Sequence, residues 1–212
     1  MTDIFDTSYE EVNIEISKNR VSKGDDVNLM AKDPALKKVL IAAGWDLNAF
    51  DSDPLDLDMS CFMLNKEGKT RVNEDFVFYN NDQSAEGGVV HNGDSRTGAG
   101  DGDDESILVD FENVPFDIMR IIFVLSVYQG DEKGHYLSKI RNCYLRVVNN
   151  DNAQEIVRYE LDDDFEDKNE TAMIVASLNR EGPKWHFQVI GDFVEGGLGK
   201  VATEYDIIVQ GG

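Results

Sequence analysis

Apolar residues recur along this chain in short runs broken by Gly, Asn and Asp. Residues 38–43 are mostly apolar with β-branched members. Residues 59–64 are followed by Lys66-Glu67-Gly68 and then by residues 70–72, which predicts a hairpin. Residues 76–79 are aromatic and β-branched. Ile107, Val109 and Phe111 alternate with polar or flexible residues, and Cys143, Leu145 and Val147 alternate with Tyr144, Arg146 and Val148. Residues 121–128 are apolar on both faces, as in a strand at the centre of a sheet. Residues 156–161 and 185–190 complete the set. Many short strands with such turns predict an all-β fold, a β-sandwich of two packed, mostly antiparallel sheets with one or two short helices.

The one clear helix is expected after Asn169. Asn169 is a good N-cap and Glu170 suits the first turn. Ala172, Val175, Ala176 and Asn179 share one side, while Met173 and Ile174 widen the apolar face. Gly182-Pro183 then ends it. Asn169-Glu170-Thr171 is also a glycosylation sequon, read here as a helix cap because no secretory signal precedes it. Residues 1–18 are polar and acidic and read as an N-terminal extension, although Val12, Ile14 and Ile16 alternate. Residues 19–212 read as one domain. The four prolines, at 34, 54, 115 and 183, fall between elements, where proline is tolerated.

Composition narrows the function. The 212 residues carry 20 Lys+Arg against 42 Asp+Glu, a net charge of −22. Such a surface repels phosphate backbones and anionic lipid, so a nucleic-acid partner is excluded and a membrane surface disfavoured. Cations, free or on a basic partner, are what it attracts. The longest apolar run, residues 121–125, is far short of the roughly 20 residues of a membrane span. The acidic start (Asp3, Asp6, Glu10, Glu11) lacks the basic region of a secretory signal, so a cytoplasmic protein is expected. Cys61 and Cys143 lie in strand-like segments and read as two reduced core thiols.

The chemistry concentrates in residues 93–105, Gly-Asp-Ser-Arg-Thr-Gly-Ala-Gly-Asp-Gly-Asp-Asp-Glu. Glycines let the backbone turn tightly and bring carbonyl oxygens inward. Closely spaced carboxylates add hard, charged oxygens. That combination suits Ca²⁺, which takes roughly six to eight oxygens, and not Zn²⁺, which wants nitrogen or sulfur. If residues 101–105 enter a strand, Asp101, Asp103 and Glu105 face one side and Asp104 the other. A second acidic cluster, Asp51, Asp53, Asp56 and Asp58, contains no base, and the alternation Asp56-Leu57-Asp58 puts two carboxylates on one face. The two clusters are either far apart and solvated or share metal. The EF-hand pattern does not fit, since Ser106 stands where its glycine should be. A phosphate-cradling loop fits less well still, for want of Gly-Lys-Ser/Thr.

The phrase 93–106 resembles the signature of the TerD family of tellurium-resistance and stress proteins. Further blocks agree in order: Val21-Ser-Lys-Gly-Asp-Asp-Val-Asn-Leu, Leu40-Ile-Ala-Ala-Gly-Trp-Asp, Leu55-Asp-Leu-Asp-Met-Ser, Asp75-Phe-Val-Phe-Tyr-Asn-Asn and Ile121-Ile-Phe-Val. Arg146-Val-Val-Asn, Arg158-Tyr159 and Glu170-Thr-Ala-Met follow, so the resemblance covers about residues 18–207. It implies a β-sandwich with two neighbouring Ca²⁺ ions in loops at one end. It implies a stress-induced cytoplasmic protein associated with resistance to tellurite, other chemical stress, phage and colicins, with some relatives described as cyclic-AMP-binding. Carried over residue by residue, the ion sites it implies are Asp56, Asp58, Asn80, Asn81, Asp94, Thr97, Gly98, Asp101, Asp103, Asp104 and Glu105. Departures are the extension of about 18 residues, Leu55 where phenylalanine is usual, and Ser95 where asparagine is usual.

Other candidates read as ordinary structure. Asn149–Asn152, with Asp151, reads as a turn. The acidic run 160–170 reads as a solvated stretch favouring a helix start. His91, Asp94 and Ser95 lie too close in sequence for a hydrolase triad, and no Gly-x-Ser-x-Gly elbow is present. His135 and His186 are isolated, and Trp45 and Trp185 read as core aromatics, Trp45 also being a candidate neighbour of the ion-binding end. The expectation is a non-enzymatic Ca²⁺-binding stress-response module. Ca²⁺ locks one end, mobile without metal, and presents it to an unidentified protein partner, other stress-cluster proteins being candidates. A metal-dependent phosphoesterase, a Ca²⁺-dependent membrane-surface module and a cyclic-nucleotide binder remain as alternatives. Arg96 is the only base in residues 87–105, which weighs against the membrane reading.

Overall fold

An alternating strand must bury its apolar face against another layer. The computed structural model, which describes residues 18–46, 55–93 and 102–207, shows that layer to be a second sheet. The strands are β1 (Asp26–Asn28), β2 (Lys38–Asp46), β3 (Leu57–Leu64), β4 (Phe76–Val77), β5 (Val89–His91) and β6 (Glu105–Asp110). They continue with β7 (Arg120–Val127), β8 (Arg141–Asn149), β9 (Glu155–Glu160), β10 (Ala172–Glu181) and β11 (Lys184–Val194). Short helices among the described residues join them: α1 (Leu29–Lys32), α2 (Gly130–Lys133), α3 (Asp162–Phe165) and α4 (Gly197–Glu204). Six strands form one sheet in the order β1-β11-β10-β7-β3-β4, and five form the other in the order β5-β6-β2-β8-β9. Every strand-to-strand pairing is antiparallel.

The core lies between the sheets. Ile41, Ile107 and Leu145 from the five-stranded sheet meet Met59, Phe123 and Phe187 from the six-stranded sheet, all fully buried. The outer face of the six-stranded sheet is apolar as well. Phe62, Leu64, Ile122, Val124 and Ala172 bury against Val201 and Ala202 of α4. β3 and β7 are therefore covered on both sides, which is why residues 61–64 and 121–125 read as unbroken apolar runs. On the outer face of the five-stranded sheet, Tyr144, Arg146, Arg158 and Glu160 are half-buried.

Two expectations fail. Residues 172–181 form strand β10, not a helix. A bulge between Ile174 and Ala176 shifts the register against both neighbours. Core-facing positions therefore fall at Met173, Val175, Ala176 and Leu178, a spacing that imitates a helical stripe. The supposed stop signal is the hairpin turn to β11, with Glu181 opposite Lys184 and Gly182 at a left-handed φ of 60°. Glycine is suited to that first turn position and proline, with its fixed φ, to the next. The hairpin after β3 also differs. Its return strand is Phe76–Val77, paired with Cys61 and Phe62, and residues 70–72 pass outside the sheet. Arg71 explains the detour: its guanidinium holds the buried Asp75 in a bidentate pair at 2.9 and 2.7 Å and also reaches Glu86 and Asp117.

Both cysteines are buried and free, and burial pushes both thiols far above their ordinary range. No helix among the described residues is long and apolar enough to cross a membrane. Residues 1–17 of the extension 1–18 lie outside the described residues.

Candidate functional site

Both acid-rich segments root at one edge of β3. β4 pairs only with Cys61 and Phe62, so the main chain at Met59 has no strand partner on that side. Side chains from the other sheet take its place. Glu105, at the start of β6, accepts the Met59 N–H through Oε2 at 2.5 Å. His91, at the end of β5, places Nε2 3.1 Å from the Met59 carbonyl, and its Nδ1 accepts the Gly93 N–H at 3.2 Å. That partner set assigns the proton to Nε2. His91 Nε2 also lies 3.5 Å from Glu105 Oε2. Asp104 closes the other corner: its backbone N–H donates to the Ala43 carbonyl, and its Oδ2 accepts the Trp45 N–H at 2.8 Å. The chain ends that lead into residues 47–54 and 94–101 are thus tied together by side chain-to-backbone bonds.

Charge at this edge is under strain from burial. Asp58 is 6% exposed and Glu105 2% exposed. Burial, then the neighbouring Asp46 and Asp103 carboxylates, push the Asp104 carboxyl above its ordinary value, against the opposing pull of the Trp45 N–H. Such a place favours an added cation with hard oxygen ligands.

Asp103 does not share Glu105's side, because β6 begins only at Glu105. Glu105 turns into the space between the sheets, while Asp103 lies over the outer face. There Arg146 grips it through Nε and Nη2, both at 2.8 Å, and the Tyr144 hydroxyl donates to it at 3.0 Å. Burial, then Asp103, pushes that hydroxyl's pKa up to about 12, so it remains a donor at neutral pH. The phenol reaches Asp103 across Gly44, where a Cβ would come within 2.4 Å of the Tyr144 hydroxyl oxygen. Arg158 stacks over the same ring at 3.8 Å.

Of the other expected residues, Asp58 sits opposite Ser126 across β7 and faces outward, as the burial of Leu57 and Met59 in the core requires. Asp56 is half-buried, and its carbonyl accepts the Tyr128 N–H. Asn81 spends its carboxamide on the Phe76 carbonyl at 2.6 Å, and Asn80 is exposed in the same turn. Asp94, Thr97, Gly98 and Asp101, with Asp51 and Asp53, lie outside the described residues. Among the described residues no three His, Cys, Asp or Glu side chains converge. Sequence reasoning missed the parts played by His91, Gly44, Tyr144 and Arg146. Outward alternation along β8 flagged the last two as polar, but not their shared partner.

The TerD domain model matches residues 18–205. The chain belongs to the TerD family. It is 41% identical over 187 residues to a tellurium resistance protein TerD of Alcaligenes sp, a match covering 88% of this chain and 96% of that protein. It is 39% identical to general stress protein 16U of Bacillus subtilis (strain 168), covering 89% of this chain and 97% of that protein. Its fold is similar to the crystal structure of a homologue of telluride resistance protein (TerD) from Streptomyces coelicolor A3(2). The TM-score is 0.65 at 21% identity, over 79% of this chain and 96% of that one. The edge of β3 thus belongs to a TerD-family sandwich, and residues 40–46, 55–60 and 102–106 are the segments that build it.

Proposed function

We propose that this chain is a non-enzymatic, Ca²⁺-binding stress-resistance protein of the tellurium-resistance type. Relatives named for tellurium resistance, general stress and chemical-damage resistance support the biological half of that reading. One observation supports the chemical half: Asp104 and Glu105 tie the roots of both acid-rich segments to Trp45 and Met59, beside buried Asp58. By sequence those segments also hold Asp51, Asp53, Asp94 and Asp101, and carboxylates held close together without a cation repel one another. The donors are carboxylates, hydroxyls and carbonyls, which fit a hard cation. Asp56, Asp58, Asp104, Glu105 and the donors of residues 94–101 would hold two ions, with Asn80 and Asn81 at the rim. The bound ions neutralise this end of the sandwich and present it to a protein partner in the cytoplasm. Both cysteines are buried, so neither thiol is an accessible nucleophile.

The test is the thermal midpoint in chelator, in Mg²⁺ and in Ca²⁺ at matched ionic strength. An ion at about 100 times its dissociation constant adds roughly 2.7 kcal/mol per site, a rise of several degrees for a domain of this size. The expected result is a rise specific to Ca²⁺. Equal midpoints in all three buffers would sink the proposal.

A further inference from the structure

Arg180, near the end of β10, lies at the end of the sandwich opposite Asp46 and Glu105. It is half-buried, and its guanidinium stacks 4.6 Å over the Trp185 ring, which in turn stacks on Phe111 at 5.0 Å and 18°. Its Nη2 donates to the Val114 carbonyl at 2.9 Å. Among the described residues no carboxylate lies within 4.0 Å of it, in a chain with 42 acids to 20 bases. Asp117, the neighbouring carboxylate, is held by Arg71 at 3.0 Å. Burial lowers the Arg180 pKa, with Asp117 opposing, yet a guanidinium keeps its charge and its several N–H donors. Next to it stands Phe116, its ring centroid 5.7 Å from the guanidinium carbon. Phe116 is 96% exposed, whereas Val72, Tyr79, Met119 and Tyr128, the other exposed large apolar side chains described, are 37–46% exposed. The turn Pro115–Ile118 fixes it there, with the Ile118 N–H on the Pro115 carbonyl and Asp117 on Arg71. Met119, whose carbonyl accepts the Arg180 N–H, extends the apolar surface. An exposed aromatic beside a partly desolvated arginine is the composition of an interface anchor. Its occupant must bring an apolar group to Phe116 and a carboxylate to Arg180.

Residues 1–17 have that chemistry. They hold Asp3, Asp6, Glu10, Glu11 and Glu15 and no Lys or Arg, and Phe5 and Tyr9 each adjoin a carboxylate. The described chain also begins at the right end. The Asn19 side chain donates to the Glu155 carbonyl, and Glu155 pairs with Val148. Val39 faces Asn149 on one side and Val109 on the other, so Glu155 shares an end with the β6–β7 connection that carries Phe116. Residues 1–17 can span at most about 56–61 Å, against a width of roughly 40 Å for a domain of this size. Over most of a surface with a net charge of −22, an acidic segment is repelled. We propose that residues 3–10 dock on this surface of their own chain, an aromatic ring against Phe116 and a carboxylate on Arg180. The contact lies away from the proposed ion site and does not depend on it.

The test uses the full, ¹⁵N-labelled chain carrying a nitroxide on Thr7→Cys; Cys61 and Cys143 are buried and escape the label. The expected result is loss of intensity at the Phe116, Asp117, Met119 and Trp185 amides, in chelator as in Ca²⁺. Two variants then separate the parts. Arg180→Gln keeps a donor for the Val114 carbonyl and removes the charge. Phe116→Ser removes the ring from an exposed position, where the thermal midpoint should not change. Each should reduce the docked-to-free ratio about five- to tenfold. Added salt should weaken the contact in the parent chain. Intensity loss spread evenly over the surface, or confined to another face, overturns the proposal. So does an undiminished loss in both variants. Equal loss with nitroxide and ¹⁵N on different molecules overturns it too, since the occupant would then be a second copy.

Discussion

The two outer faces of the sandwich solve opposite problems. The six-stranded sheet turns Phe62, Leu64, Ile122 and Val124 outward and hides them under α4. The five-stranded sheet turns Tyr144, Arg146, Arg158 and Glu160 outward, half-buried, and links them to Asp103 and Glu155. One face is held by burial and the other by paired charge. Burial of a large side chain stabilises by several kcal/mol, whereas an exposed ion pair contributes about 1 kcal/mol or less. The covered face should therefore carry stability. The open face is left to carry position, in particular that of Asp103 beside the acid-rich segment.

The sharpest way to break this comparison is Phe62→Ala. Phe62 is fully buried and stacks on Phe76 at 4.3 Å and 7°. Its truncation should cost about 3–5 kcal/mol, read from urea unfolding at an unchanged slope. A loss below about 1 kcal/mol would mean that α4 is a loose lid and that the two faces contribute alike.

Gly44→Ala tests the open face. The new Cβ meets the Tyr144 ring and hydroxyl between 2.4 and 2.8 Å, so the phenol must leave Asp103 or the strand must shift. The expected cost is about 1–3 kcal/mol in thermal or urea unfolding. In a Tyr144→Ala background the same change should cost little, because the clash is gone. Equal costs in both backgrounds would show that Gly44 is needed for its backbone and not for the crossing phenol.

The same contrast explains what could be read in the sequence. β6, β8, β9 and β11 were legible because each has one face in the core and the other more open, and alternation follows directly; β2, buried throughout Ile41–Trp45, was legible as a mostly apolar run. β7 was legible because covered strands carry unbroken apolar runs. β10 was not: it is covered and also bulged, and the bulge at Ile174/Ala176 turns a period of two into an apparent helical stripe. The return strand of the first hairpin was missed because Arg71 and Asp75 hold the connection by an ion pair that no local pattern encodes. At the candidate site, the carboxylates at Asp58, Asp104 and Glu105 stood out by spacing alone. Their partners did not. Trp45, Met59 and His91 are brought to them by sheet-to-sheet packing, and the bonds at Trp45 and Met59 use backbone N–H groups, which have no residue signature.

Asp104 joins the two faces to the proposed ion site and supports the finest test. Its carboxyl is held above the ordinary value, chiefly by burial and then by Asp46 and Asp103. A group with a raised folded-state pKa stabilises fully below its unfolded-state pKa, and that stability is lost as pH rises through the folded-state value. Above that value the loss is complete, and ionised Asp104 is a burden on the metal-free fold. Asp104→Asn keeps an oxygen for the Trp45 N–H and removes the charge. In chelator it should therefore raise stability at pH 7, by less than about 1 kcal/mol because solvent screens this half-buried group. Acidification through the carboxylate range should close the gap, as the wild type regains what ionisation removed. In Ca²⁺ the sign should reverse, since the variant has lost a charged ligand and gains less from the ion. A variant that is destabilised equally in chelator and in Ca²⁺ would reduce Asp104 to a hydrogen bond for Trp45. The buried carboxylates at the edge of β3 would then be architecture alone.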